Sequence, residues 1–523
     1  MNEQPHEIDQ HTPPEHQPDS ESHLDPSPYP DPGTPFSRLI ALILAIVFAS
    51  GIILWQNLPE STQYKVIGES PAVVLLSADS PAPGRFGQID LPARIFLRGH
   101  TLFDSQPTDY TQMVMSQFDI AYTPDDQVRT IIMSGVYESS DQTLDRINAL
   151  RIELTDTPDP NRETEAEPLS EYDAINQELI LAELDALESI YTNGRDSISD
   201  QMNDQLIARY GVLGRAATTH GLDANDPARQ PIVTGFGWIA ALLLLFFTVI
   251  VVGFFAGLVL LLIGIINLST GKLKLRFKAP PAGGSVFLET YALFLAGFAV
   301  LSIGLFILSE KVNPALGILS LPLQWILIFT PAWAILRGMR ASIWRRAIGL
   351  HSGEGILKEI ACGFITYIAS IPVYLFGVLV TLVLILVQSA LSSGGAQPTQ
   401  PMTNPVFDLI SDSGPILIIL VFSLATVWAP IAEELIFRGA LHRHINSRVH
   451  WVATAFITAL LFAYMHSYGP LMVAPLIALG FMFAFMRQWR DSIIPCITAH
   501  FIHNASLVGF MILLINLLKD PFA

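Results

Sequence analysis

Nine stretches of this chain are apolar for about as long as a lipid bilayer is thick, and nothing else in the sequence constrains the fold as much. They are 37–56, 232–268, 287–309, 317–336, 360–390, 415–436, 452–468, 471–486 and 493–518. A helix needs about 20 apolar residues to cross the hydrocarbon core. In lipid every backbone polar group must be satisfied internally, which leaves only helices and closed barrels. Unbroken apolarity, without alternation, selects helices. The expected fold is an all-α polytopic membrane protein with about nine transmembrane helices. The eighth stretch is short and needs thinned lipid or burial among its neighbours.

Charge divides the chain at Pro231. Residues 1–230 carry 37 acidic and 13 basic side chains, net −24; residues 231–523 carry 10 and 16, net +6. An acidic, polar front joined to an apolar, weakly basic back excludes a single soluble globule. The few scattered basic residues exclude a nucleic-acid binder. Residues 1–35 hold no Lys or Arg and are rich in Pro, Asp, Glu and His, the composition of a disordered acidic tail. Its His6-Glu7-Ile8-Asp9-Gln10-His11 is one residue too long for HExxH, so the two imidazoles would not share a helix face. The run at 36–56 starts too late for a cleaved signal peptide and reads as a retained anchor. Residues 57–230 read as a separate extracytoplasmic domain, α+β or mainly helical. Strands are expected at 73–76 and 93–97, a Pro/Glu-rich hinge at 156–169 and an amphipathic helix at 175–190. No motif with chemistry stands out there, so packing or sensing is the default role. Residues 231–359 read as accessory transmembrane helices and 360–518 as the core. Cys362 and Cys496 sit in apolar runs with no CxxC spacing, as inert core thiols do.

Positive charge orients the spans. Lys272, Lys274, Arg276 and Lys278 follow the second; Arg337, Arg340, Arg345 and Arg346 the fourth; Arg438, Arg443 and Arg448 the sixth; Arg487 and Arg490 the eighth. The intervening short loops are nearly bare. The alternation predicts a cytoplasmic N-terminus and places 57–230 outside.

Ionisable residues inside a membrane are expensive and are functional candidates by default. Three clusters occur behind residue 430: Glu433-Glu434-Leu435-Ile436-Phe437-Arg438-Gly439, Phe462 to His466, and His500 to Asn504. Glu434 and Arg438 are four apart and can pair on one helix face. Glu433 is rotated about 100° from Glu434 and faces elsewhere. A carboxylate without a cationic partner suits general-base work. His466 needs a partner from another helix, and Glu433 is the natural one. His500 and Asn504, also four apart, can present an N–H and an amide to one point, as an oxyanion hole requires. His503 reads as packing. His442, His444 and His450 read as a solvated loop, and Glu289, Glu354 and Glu359 as capping or snorkelling residues.

The order EExxxR, FxxxH, HxxxN in successive C-terminal apolar helices resembles the CPBP intramembrane proteases. That family includes the CAAX prenyl endopeptidase and the Abi or bacteriocin-processing proteins. The resemblance covers roughly 360–518. It implies hydrolysis of a peptide bond in a membrane-associated protein or peptide, in a bacterial cytoplasmic membrane. Glu433 assisted by His466 would activate water. His500 and Asn504 would hold the oxyanion, and Glu434 and Arg438 would hold the site together. Glu433, His466 and His500 could supply the three protein ligands of a catalytic zinc. HxxxN reads better as an oxyanion device, so no cofactor and no obligatory metal is expected.

Other classes are weighed by their motifs. The chain has no HExxH, GxSG or GxGD, which argues against site-2-type, rhomboid and presenilin-like hydrolases. A non-catalytic scaffold or bacteriocin-immunity protein retaining the fold is the alternative. A transporter would favour inverted repeats, and none stands out. One misfit remains. Counted from the expected span ends at about 1.5 Å per residue, Glu433, His500 and His466 lie about 7, 10 and 22 Å deep. Either the seventh span starts submerged, or 439–450 enters the bilayer.

Overall fold

The computed structural model describes residues 30–56, 97, 115, 124–155, 171–223, 226–233, 236–312, 315–391, 415–466, 468–469 and 471–518. The acidic front contributes the anchor helix α1 (Pro35–Gln56) and a cluster of five helices. These are α2 (Pro124–Tyr137), α3 (Ser140–Thr155), α4 (Glu171–Asn193), α5 (Asp200–Tyr210) and α6 (Val212–Thr218). Helix α4 contains the expected amphipathic stretch. Its Ile180, Leu184, Leu187 and Ile190 are buried at helical spacing in a core shared with Val128, Ile147, Leu206 and Leu213. Ser199 caps α5, its hydroxyl accepting the Met202 N–H at 3.2 Å. One carboxylate, Glu183, is buried in this core, where the Tyr210 hydroxyl donates to it at 2.7 Å. No strand occurs among the described residues; the expected strand at 73–76 and residues 93–96 lie outside them, and Leu97 is helical. The hinge at 156–169 and residues 1–29 of the tail also lie outside them.

The apolar back continues with α7 (Phe236–Ser269), α8 (Val286–Ser309), α9 (Leu319–Leu336), α10 (Ala341–Ala347) and α11 (Ile356–Leu391). It ends with α12 (Pro415–Asn446), α13 (Trp451–Tyr464), α14 (Ala474–Arg490) and α15 (Ile494–Leu518). By length and composition, seven helices among the described residues can cross a membrane, where nine stretches were expected. The difference is the pair α13 and α14, of 14 and 17 residues. At 1.5 Å per residue they reach about 21 and 26 Å, short of the ~30 Å hydrocarbon core. They pack on each other, and α14 also lies against α11.

The expected loop at 439–450 is mostly helix, because α12 runs on to Asn446. This removes the depth misfit between Glu433 and His466. From Glu433 the chain travels about 20 Å to the end of α12 and returns about 22 Å along α13 to His466. It also reassigns two histidines. His442 and His444 are buried rather than solvated, His442 facing the Gln488 carboxamide at 3.4 Å and the Phe277 ring at 5.6 Å. His450 is exposed and caps α13. Arg487 and Arg490, read as loop charges, are buried on α14: Arg490 pairs with Glu359 and Glu354, and Arg487 donates to the Ala347 carbonyl.

Small residues set the helix spacing. On α1, Ala41, Ala45, Ala49 and Ile52 form the stripe that meets α8. On α7, Gly253 and Gly257 face α11; a Cβ at Gly257 would sit 2.2 Å from the Ile368 carbonyl oxygen. A Cβ at Gly264, two turns on, would meet nothing within 4 Å. Gly257→Leu is therefore expected to lower stability by about 1–3 kcal/mol through overpacking, while Gly264→Ala leaves it unchanged or higher. Thermal unfolding in detergent distinguishes the two; equal midpoints would show that the α7–α11 contact is not close-packed.

Candidate active site

Helix α12 carries the first motif and is not α-helical throughout. Its hydrogen bonds follow the wider π pattern over Leu424–Trp428 and Glu434–Leu441, with an α-helical turn, Ala429–Glu433, between them. Such π turns are rare and recur at functional sites. The two adjacent carboxylates straddle a junction, Glu433 ending the α turn and Glu434 opening the π turn.

Glu434 is sealed. It and Arg438 have 0% side-chain exposure, and Arg438 Nη1 donates to Glu434 Oε1 at 2.9 Å. His500 Nδ1 meets the same oxygen at 2.9 Å. A carboxylate held by a guanidinium only accepts, so we assign the His500 ring proton to Nδ1. The guanidinium also donates through Nη2 to the Gly480 carbonyl at 3.1 Å and lies over the Phe462 and Phe483 rings at 4.4 and 5.2 Å. Gly480 is glycine for a reason of space: a Cβ there would stand 3.0 Å from Ala459.

Glu433 is open. Its side chain is 18% exposed, and its Oε2 has no hydrogen-bond donor. His500 Nε2 stands 3.9 Å from that oxygen. His500 therefore stands between the two carboxylates, held at Nδ1 by one and facing the other with Nε2. Its ring is fixed by stacking on Phe483 at 5.3 Å and by the edge of Phe462 at 5.9 Å.

His466 lies just past the end of α13, with Nδ1 2.8 Å from the Phe462 carbonyl. A carbonyl only accepts, so Nδ1 carries the proton and Nε2 is the free basic nitrogen of the neutral ring. Asn504, one turn after His500 on α15, donates to the Ala425 carbonyl in the first π turn at 2.7 Å. Glu433, Glu434, Arg438 and His500 thus form one connected cluster. His466 joins it through the Phe462 ring at 4.8 Å, and Asn504 through its helix. No direct contact joins His466 to Glu433. Among the described residues, no three His, Cys, Asp or Glu side chains converge as ligands of one metal ion.

Sequence reasoning passed over several supporting residues. Phe462 touches Arg438, His466 and His500 together, whereas the sequence marks only its place in FxxxH. Phe483, Gly480 and Arg487 carry no motif; Arg487 Nε donates to the Arg438 carbonyl at 3.2 Å. The one signal available for them was the polar pair Arg487/Asp491 at helical spacing, joined at 2.8 Å.

Residues 415–506 match the protein family described as type II CAAX prenyl endopeptidase Rce1-like, a stretch that contains all six motif residues. The "Uncharacterized protein YpbD" of Bacillus subtilis (strain 168) is 34% identical over 80 residues. That match spans 15% of this chain and 40% of the relative's length. No solved structure matches the chain.

Arg438→Met leaves the Glu434 carboxylate buried without its guanidinium. Removing one partner of a buried pair costs about 3–5 kcal/mol. We expect that loss in detergent unfolding, and recovery of a substantial part of it in Arg438→Met with Glu434→Gln, because the pair is a unit. Additive losses would show that the two residues act independently.

Proposed function

We propose that this integral membrane protein, whose residues 415–506 match the type II CAAX prenyl endopeptidase Rce1-like family, is an intramembrane endopeptidase of the glutamate type. It hydrolyses a peptide bond of a membrane-associated protein or peptide. The observation that carries the reading is the inequality of Glu433 and Glu434. Glu434 is sealed and bonded by Arg438 and His500, whereas Glu433 is 18% exposed and its Oε2 has no hydrogen-bond donor.

In this mechanism Glu433 accepts a proton from water as the oxygen attacks the scissile carbonyl. His466, whose free nitrogen is Nε2, orients that water from the α13 side. Negative charge then develops on the carbonyl oxygen. His500, with Nδ1 committed to Glu434, can donate from Nε2 only as imidazolium, a charge matched by the carboxylates on either side. Asn504 keeps one amide proton after its bond to Ala425 and supplies the second donor. Glu433 returns its proton to the leaving amine, so acid and base roles balance over the cycle. Glu434, Arg438 and Phe462 hold these groups and do not touch the reacting atoms. The proposed setting is a bacterial cytoplasmic membrane, with the N-terminus cytoplasmic and 57–230 outside, supported by the run of basic residues at Arg337, Arg340, Arg345 and Arg346. The role of the acidic front is packing or sensing.

The test uses protein in proteoliposomes and a pool of fluorogenic peptides, each a randomised segment carried on an apolar anchor helix. Glu433→Gln is expected to lower hydrolysis by about 10²–10⁴, the usual worth of general acid–base catalysis, without moving the unfolding midpoint. Hydrolysis by this variant at the wild-type rate would sink the assignment, and a wild-type protein with no hydrolysis at all would favour a scaffold. A second measurement addresses metal. After treatment with a strong chelator the wild type is expected to keep its rate; loss reversed only by zinc would replace the water-activation scheme.

A further inference from the structure

Four polar side chains beside the cluster have no hydrogen-bond partner among the described residues, and the proposed chemistry uses none of them. They are Tyr367 and Tyr374 on α11, His503 on α15, and Tyr468 in the connection between α13 and α14. None has its polar atoms sealed from the surroundings. His503 meets the Tyr374 ring at 5.2 Å and the Tyr367 ring at 6.1 Å, both edge to face. Tyr468 lies parallel to the His466 ring at 6.3 Å. The bodies of Tyr367 and Tyr374 pack on Leu479, Phe483, Met486, Cys496 and Ala499, and Phe483 is the residue on which His500 stacks. The four groups thus form one wall that begins at His466 and runs along α11 past His500.

Their position excludes the ordinary explanation for unpaired tyrosines. Interfacial tyrosines keep the hydroxyl in water at a helix end. Tyr374 is residue 19 of the 36 in α11, about the middle of a helix that is itself longer than the hydrocarbon core. Acyl chains offer these hydroxyls nothing, and an unmet polar group in hydrocarbon costs several kcal/mol. Phe376, two residues on, is 65% exposed and shows which face of α11 meets lipid.

We propose that this wall is the substrate groove, and that its ligand is an extended peptide segment leading to the scissile bond. The inference rests on the protease reading above and deepens it. A helical substrate has its backbone groups paired internally. A peptide bond open to hydrolysis lies in unwound chain, whose N–H and C=O groups need partners inside the membrane. Phenols and an imidazole both donate and accept, which suits alternating amide groups. The spacing fits as well. Tyr367 and Tyr374 are seven residues apart, about 10 Å along a helix, which is the length of about three extended residues.

The experiment separates binding from cleavage. In the Glu433→Gln background, retention of the same anchored peptide pool is measured by fluorescence anisotropy in detergent micelles. Adding Tyr374→Phe and His503→Leu is expected to weaken retention about tenfold or more, while adding Phe376→Leu leaves it unchanged. In the protein with Glu433 intact, the same pair of changes raises KM for the best-cleaved peptide of the pool, with kcat within about twofold, as loss of uniform binding does. If His503→Leu unfolds the protein, Tyr374→Phe alone, which removes one oxygen, carries the test with an expected severalfold loss. Unchanged retention overturns the groove even if hydrolysis is confirmed. Retention that falls as expected in a protein whose wild type never hydrolyses the pool upholds the groove and overturns the protease.

Discussion

A guanidinium and a carboxylate, both shut away from solvent, meet 2.9 Å apart in the middle of the apolar helices. Desolvating two such charges costs more than their attraction returns unless further bonds satisfy them. The neighbouring helices supply those bonds. Helix α14 gives the Gly480 carbonyl and the Phe483 face, α13 gives the Phe462 face, and α15 gives His500. Four helices are therefore held in one arrangement by the needs of a single ion pair. The glycine at 480 is part of the same requirement, since a larger residue there would push α13 away from α14.

The irregular winding of α12 converts that structural pair into a chemical asymmetry. Two glutamates adjacent in sequence stand on either side of a change of pitch and have different environments. Glu434 is fully buried and takes Arg438 and His500 on one oxygen; Glu433 is partly exposed, and its Oε2 has no donor. The first π turn matters too, because it presents the Ala425 carbonyl to Asn504. Helix α15 is thus tied to both π turns, through His500 at one and Asn504 at the other. The cost of poorer backbone geometry is borne where the polar side chains need it.

Helix α11 gathers the remaining constraints on one element. Glycine contacts bring it close to α7 and, through Gly363 and Gly377, to α15 and α14. Its apolar residues such as Phe376 meet lipid. Between those faces run Tyr367 and Tyr374, whose hydroxyls have no hydrogen-bond partner among the described residues. A helix serving lipid, packing and a polar wall at once has no single amphipathic period, and so its sequence looks like an uninterrupted apolar run.

The sequence by itself determined which segments enter the membrane and which residues carry charge inside it. Both follow from transfer energies that do not depend on neighbours: twenty apolar residues belong in lipid, and a Glu, Arg or His among them needs a reason. It also determined the pairing of Glu434 with Arg438, because four residues apart is close in any helix of near-ordinary pitch. Only the tertiary structure decided that α13 and α14 are short, since apolar composition does not state where a helix stops. The burial of His442, His444 and Arg487 was likewise decided by what packs against the ends of α12 and α14. The contact of His500 with Glu434, and the place of Phe462 between Arg438 and His500, join residues 24 to 66 positions apart. Their distances are set by helix packing, and a local pattern carries no trace of them.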